Sequence, residues 1–354
     1  MIKPRILIFS LAPLSLVGGA EIAVKEITDR LANQFEFEII SSDVKSFWSK
    51  YGFPIWACRR AAALHREQKF DLVWAIMANQ AGMAAARFKK EFPQVPLLLT
   101  LQEGDDLNSL AYRLKLLGPK LFGVFRRADQ IQAISRYLAE WGRTMGATCP
   151  IIVVPNGVDL NKFEALNPKS ETIPKSKIII TTSRLVKKNG VDILIKALAF
   201  LPPDVKLQIL GVGPEARALK DLTNWLKLAS RVAFLGQVAP SELEQYLTQA
   251  SVFARPSRSE GLGNSFLEAM AVGLPTVGTP VGGIPDFLHD GETGWLARVD
   301  DPKDLAEKIS FIFNPANQAE VYRIAQAGQK LARENYSWET VVAKIKNIFN
   351  QLIV

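Results

Sequence analysis

The stretch SVFARPSRSEGLGNSFLEAMAVGLP, residues 251–275, runs from a short apolar segment through a loop with two glycines into a helical pattern. Ser251 to Ala254 read as a strand and Gly261 and Gly263 as the turn, and Ser265 with Glu268 has the spacing of a capping box at a helix start. On spacing alone, Glu268 caps that helix. The alternative places Glu268 in the first helical turn and Glu260 at the loop mouth, so that two carboxylates frame the exposed amides of Gly263 and Asn264. Carboxylates accept hydrogen bonds from vicinal hydroxyls and a helix N-terminus takes phosphate, so the combination fits a sugar, a diphosphate and a ribose.

Outward from this stretch, short apolar runs alternate with amphipathic segments. In the first half, Ile6–Phe9, Phe37–Ile40, Leu72–Ile76, Leu97–Leu101, Gln130–Ile134 and Ile151–Val154 read as strands, with a helix over about Ala20 to Asn33. Strands without polar alternation are buried on both faces, as in a parallel sheet covered by helices. Residues 164–176, EALNPKSETIPKS, are polar, carry two prolines and read as a linker. Beyond it the rhythm resumes with Ile178–Thr182, Val205–Leu210, Val232–Leu235, Pro275–Gly278 and Gly294–Ala297. From Trp338 to Ile353 apolar residues recur at helical spacing. The fold expected is α/β: two Rossmann-like units over 1–165 and 166–337 and a terminal helix over 338–354. In such sheets ligands bind outside the carboxyl ends of the strands.

A chain of 354 residues suits two cores better than one. Its net charge of +8 (43 basic against 35 acidic residues) suits a polyanion, an anionic membrane or an acidic small molecule, but equally a solvated basic surface. The basic residues do not gather into a nucleic-acid arm. Two cysteines, Cys58 and Cys149, and two histidines, His65 and His289, suggest neither a disulfide scaffold nor a metal centre, so no metal and no cofactor is expected. No apolar run approaches the roughly 18 residues of a spanning helix, and MIKPRILIFS leads into a strand pattern, from which a cytoplasmic protein is expected.

Three further loops follow strands. Gly18 and Gly19 precede a helix and form either a phosphate loop or a plain turn. TSRLVKKNG, 182–190, gathers Arg184, Lys187 and Lys188, which suit a diphosphate or make a solvated basic turn. Gly211 and Gly213 either let a flat ring lie on the backbone or form a tight turn.

Taken in order, Gly18-Gly19-Ala20-Glu21, Val154-Pro155-Asn156-Gly157-Val158-Asp159, Arg184-Leu185-Val186, Gly211-x-Gly213-Pro214 and the spaced glutamates Glu260 and Glu268 resemble the retaining glycosyltransferases of family 4 over nearly the whole chain. The resemblance implies the GT-B architecture, with two Rossmann-like domains facing across a cleft and a C-terminal helix crossing back to the first. It also implies metal-independent transfer of a sugar from a UDP, GDP or ADP carrier with retention at the anomeric carbon. By it Arg184 holds the diphosphate, Glu268 the ribose and Glu260 the donor sugar. Gly261, Leu262 and the amides of Gly263, Asn264 and Ser265 line the sugar and phosphate, Gly18 and Gly19 close on the diphosphate, and Gly211, Gly213 and backbone near Gln237 and Val238 line the base. The family lysine five residues after the phosphate arginine is here Asn189, so Lys188 or Lys187 supplies that charge. A histidine common in the loop after the fourth strand is here Gln102, followed by Glu103, Asp105 and Asp106. No nucleophile stands out, so front-face transfer is favoured, with Glu103 or Asp105 as an alternative base.

The acceptor expected is a glycan or a lipid-linked hydroxyl. Segment 46–60 interleaves aromatic and basic residues and segment 110–127 is basic and apolar at helical spacing; both suit either an anionic membrane at the inner face or a core with a basic outer side. An epimerase or a non-catalytic nucleotide-sugar binder of the same fold is the competing reading.

Overall fold

The computed structural model describes residues 3–13, 18–41, 47–104, 119–160, 177–239 and 241–353. The expected linker 164–176 and the candidate base Asp105 with its neighbour Asp106 lie outside them. The chain forms two compact units, Met1–Gly157 with Trp338–Val354, and Val158–Ser337. The first unit therefore ends ahead of residue 165 and takes in the terminal helix.

The first unit is a parallel sheet of β1 (Arg5–Phe9), β2 (Glu36–Ile40), β3 (Leu72–Ile76), β4 (Leu97–Leu101), β5 (Gln130–Ala133) and β6 (Ile151–Val153), in the order β2-β1-β3-β4-β5-β6. Every residue of β1, β3 and β4 is buried, as unalternating apolar strands require. Ile6, Ile8 and Trp74 face helices 19–31 and 338–352, where Phe349 meets Trp74 edge-on at 5.3 Å. From the opposite face of the same strand, Phe9 reaches Phe88 of helix 80–91 at 6.4 Å. The C-terminal helix is thus a structural part of the first unit: Val341, Ile345, Ile348 and Phe349 lie in its core. Burial of four such side chains stabilises it by several kcal/mol, at about 1.5–3 each.

His65, 4 % exposed on helix 47–67, accepts the Phe70 amide on Nδ1 at 2.9 Å and packs against the rings of Phe88 and Phe92. Burial first, then Lys69 and Arg5, hold its pKa below the usual 6.5, with Asp71 opposing them more weakly. The unfolded chain takes up this proton first, so stability is lost as pH falls through about 6.5. Thermal unfolding of the wild type should drop between about pH 7 and about pH 5. In His65→Gln that drop should narrow.

The second unit is built on β7 (Ile178–Thr182), β8 (Lys206–Leu210), β9 (Val232–Gly236), β10 (Val252–Ala254), β11 (Thr276–Gly278) and β12 (Trp295–Leu296). All neighbours are parallel, in the order β12-β11-β10-β7-β8-β9. From β7 the chain first builds outward through β8 and β9, then returns to lay β10 against the other side of β7. The loops after β7 and β10 consequently leave neighbouring strand ends in opposite directions. Such a reversal opens a crevice at the carboxyl edge of the sheet.

Candidate functional site

The loops at that edge are tied to one another by main-chain atoms. Gly190, at φ +67, lies so close to Pro256 O that any Cβ would run into it, which joins the loop after β7 to the loop after β10. Gly211 and Gly213 approach Ser183 O and Leu185 O in the same way, and Leu185 N donates to Val212 O at 3.0 Å. These two glycines thus allow loop to lie on loop, which is the tight-turn reading of Gly211-x-Gly213. Gly211 N also reaches the O of Gly236, the last residue of β9, at 2.6 Å. After β11, Gly283 N donates to Glu260 O at 3.2 Å and Thr279 Oγ1 to Ser257 O at 2.5 Å.

Arg255, at the end of β10, organises the decisive stretch. Its side chain is 7 % exposed and lies over the Phe266 ring at 4.6 Å. Nε donates to Ser257 Oγ at 3.2 Å, Nη1 to Ser265 Oγ at 2.7 Å and Nη2 to Glu260 Oε2. Glu260 Oε1 accepts from Gly261 N at 3.1 Å. The helix begins at Asn264, and its N-cap is Gly263 at φ +103, without a side-chain cap. The capping-box expectation is therefore corrected: Ser265 is the helix's second residue and its hydroxyl is engaged by Arg255. Glu268 stands beyond the first turn. What remains at the helix start is a set of amides with a positive dipole end, beside Glu260. Gly261, Leu262 and Gly263 are buried, while Asn264, Ser265 and Glu268 are partly exposed.

Arg184 is exposed after β7, and among the described residues its guanidinium forms no ion pair. Asn189 is 5 % exposed, and its Nδ2 donates to Arg184 O at 2.7 Å. This amide therefore fixes the Arg184 backbone. Charge near Arg184 comes from Lys187, exposed, and Lys188, partly exposed, in the turn Lys187–Asn189. Arg258 clasps that turn: its N donates to Lys188 O and its Nη1 to Lys187 O, both at 2.6 Å. The same guanidinium takes Asp192 through two 2.8 Å bonds and Asp300 at 2.6 Å. The Asp192 bonds, with Asp300 adding to them, hold Arg258 above its ordinary pKa. Burial acts to raise Asp192, but Arg258 and Lys196 outweigh it and hold the carboxyl below its usual value.

The remaining candidates belong to the first unit. Gly18 is the N-cap and Gly19 the first residue of helix 19–31, so the glycine pair does open a helix. Gln102, buried after β4, accepts from Asn156 Nδ2 on Oε1 at 3.4 Å. Glu103, also buried, accepts the Ala78 amide on Oε1 at 2.7 Å, beside Met77, whose φ is +70. Its carboxylate thus braces the turn after β3. Val238 follows β9 and is partly exposed. Sequence reasoning gives Arg255 and Arg258 no role: the partners of Arg255 lie in its own loop and helix start, and those of Arg258 come within reach only through the sheet order.

The family model for glycosyl transferases group 1 matches residues 162–331, and that for glycosyltransferase family 4 matches residues 17–162. The chain belongs to the group 1 glycosyltransferases. A GDP-mannose-dependent alpha-(1-6)-phosphatidylinositol monomannoside mannosyltransferase of Mycolicibacterium smegmatis is 30 % identical over 241 residues, 63 % of this chain and 62 % of that protein. The chain therefore spans less than two thirds of that relative. A lipopolysaccharide core glycosyltransferase of Rhizobium meliloti is 30 % identical over 65 % of this chain and 67 % of its own. HepE of Anabaena, solved with UDP and glucose, superposes with a TM-score of 0.83 at 20 % identity, over 99 % of this chain and 100 % of that one. That likeness gives this glycosyltransferase the two-domain GT-B fold.

Proposed function

We propose that this chain moves a hexose-type sugar, with retention, from a nucleotide diphosphate donor to a hydroxyl of a glycan or lipid-linked acceptor in polysaccharide or glycolipid assembly. One observation carries the reading. Main-chain contacts lock the loops at the β7/β10 reversal together, and those loops carry an exposed Arg184 that forms no ion pair among the described residues, the Glu260 carboxylate and the amides of helix 264–271. Arg184, Lys188 and the helix amides suit the charge that grows on a departing diphosphate, while Glu260 suits sugar hydroxyls and Glu268 a ribose. With those charges supplied by the protein, the step is assigned no metal. The acceptor hydroxyl attacks the anomeric carbon on the face the diphosphate leaves and passes its proton to the leaving oxygen. Glu103, engaged with Ala78, is not assigned the base.

A thermal-shift screen of UDP-, GDP- and ADP-sugars, followed by transfer to candidate acceptors with the product's anomeric configuration read by NMR, tests this. Stabilisation by none of them would overturn it. Conversion of the donor without any acceptor would identify an epimerase instead, and binding without turnover a sensor.

A membrane-borne acceptor has its own support. On helix 47–67, Phe53 is buried, whereas Ile55 is 46 % and Trp56 53 % exposed, beside exposed Arg59 and Arg60. Apolar side chains rimmed by arginine suit an anionic bilayer surface. No helix among the described residues is long and apolar enough to cross a membrane. The wild type should float with vesicles of phosphatidylglycerol, and Trp56→Ser with Arg59→Ser should not. Equal flotation of both would remove the reading.

A further inference from the structure

We infer that Arg255 is a positioning residue that sets the hydrogen-bond polarity of the donor-sugar contacts, holding Glu260 as an acceptor and leaving the Ser265 hydroxyl as a donor. The inference rests on the proposed role of Glu260 in binding the transferred sugar.

The reasoning is one of bond inventory. A guanidinium has only donors, and a serine hydroxyl has one proton and two lone pairs. Ser265 Oγ spends a lone pair on Arg255 Nη1 at 2.7 Å, so its own proton points away from that guanidinium. Glu260 Oε2 is fixed by Nη2 and Oε1 by the Gly261 amide, so the carboxylate plane is set and its remaining lone pairs are turned outward. Glu260 then reads a hydroxyl that donates, and Ser265 reads an oxygen that accepts. Arg255 is held in this place: its side chain is 7 % exposed, lies on the Phe266 ring at 4.6 Å and spends Nε, Nη1 and Nη2 on Ser257, Ser265 and Glu260. A lysine keeps the charge but cannot serve three acceptors in one plane.

The test separates sugar from nucleotide. Dissociation constants are measured by calorimetry for UDP-glucose against UDP, and for GDP-mannose against GDP, and the pair that the wild type binds is followed. In Arg255→Met the nucleotide sugar should weaken roughly 10-fold or more, as for loss of a hydrogen bond to a charged group, while the free nucleoside diphosphate changes less than about 2-fold. Arg255→Lys should fall between. In the Glu260→Gln background, Arg255→Met should cost far less than it does alone, because both changes remove one unit of contact. An equal loss for sugar nucleotide and free nucleotide, or additive effects of the two substitutions, would overturn the inference and mark Arg255 as structural only. Should Arg255→Met fail to fold, Ser265→Ala decides: it should weaken the nucleotide sugar more than the nucleotide, and unchanged affinity overturns the inference. Wild type that binds none of the four ligands and none of the ADP-sugars of the screen removes the proposed function as well; if it binds an ADP-sugar, that sugar nucleotide and ADP are the pair followed. Wild type that binds while the variants discriminate nothing removes this inference alone.

Discussion

Arg184→Ala is expected to lower kcat for sugar transfer by roughly 10²–10³-fold, the usual cost of removing one preorganised donor to a developing oxyanion. The side chain is exposed at the end of β7, and among the described residues it forms no ion pair, so its loss removes no packing and should leave unfolding unchanged. Its backbone stays in place, because Asn189 holds Arg184 O and Arg258 holds the adjoining turn. The effect should therefore fall on the transition state more than on donor KM. Arg184→Lys should recover only part of the rate, since a point charge cannot bridge two phosphate oxygens as a planar fork does. Steady-state kinetics with the donor found in the screen decide it, and unchanged turnover in Arg184→Ala would sink the assignment.

Gly282→Ala should be nearly as damaging by a different route. Gly282 sits at φ +56 after β11, and a Cβ there would collide with Glu260 O, a main-chain atom that cannot rotate away. The substitution adds backbone strain of about 1–3 kcal/mol and also displaces Glu260. Gly291 provides the control: its φ is +73, and a Cβ there meets nothing within 4 Å. Gly291→Ala should lower thermal stability by the strain alone and keep transfer, whereas Gly282→Ala should lose stability and donor-sugar binding together. Equal kinetics in the two variants would show that the Glu260 backbone does not matter.

Much of this arrangement was legible in the chain. Unalternating runs such as Leu72–Ile76 and Leu97–Leu101 gave strands at the observed boundaries, because a strand buried on both faces has no polar period to mislead. The amphipathic repeat from Trp338 marked the terminal helix. Side-chain use was harder. Ser265 and Glu268 have the spacing of a cap, but spacing does not reveal that Arg255, distant by ten positions, claims the hydroxyl. Gly211 and Gly213 read either as room for a flat ring or as a tight turn, and spacing does not show that Ser183 and Leu185 on the neighbouring strand's loop come close enough to require both glycines. Asn189 looked like a missing lysine, and only the fold shows its amide turned onto Arg184 O. Each of these contacts depends on loop geometry that local pattern does not contain, whether the partner stands five positions away, as Arg184 does from Asn189, or on the neighbouring strand's loop.

Because the loops after β7, β8, β10 and β11 grip one another through carbonyls, amides and absent Cβ atoms, their shape depends on few side-chain identities. Most surrounding positions are thus free to drift without altering where the ligand-facing groups stand. New donor preferences can arise by exchanging single side chains on an unchanged frame, whereas an insertion into these loops would break the close approaches that hold it. Divergence at this edge should therefore appear as substitution rather than as change of length.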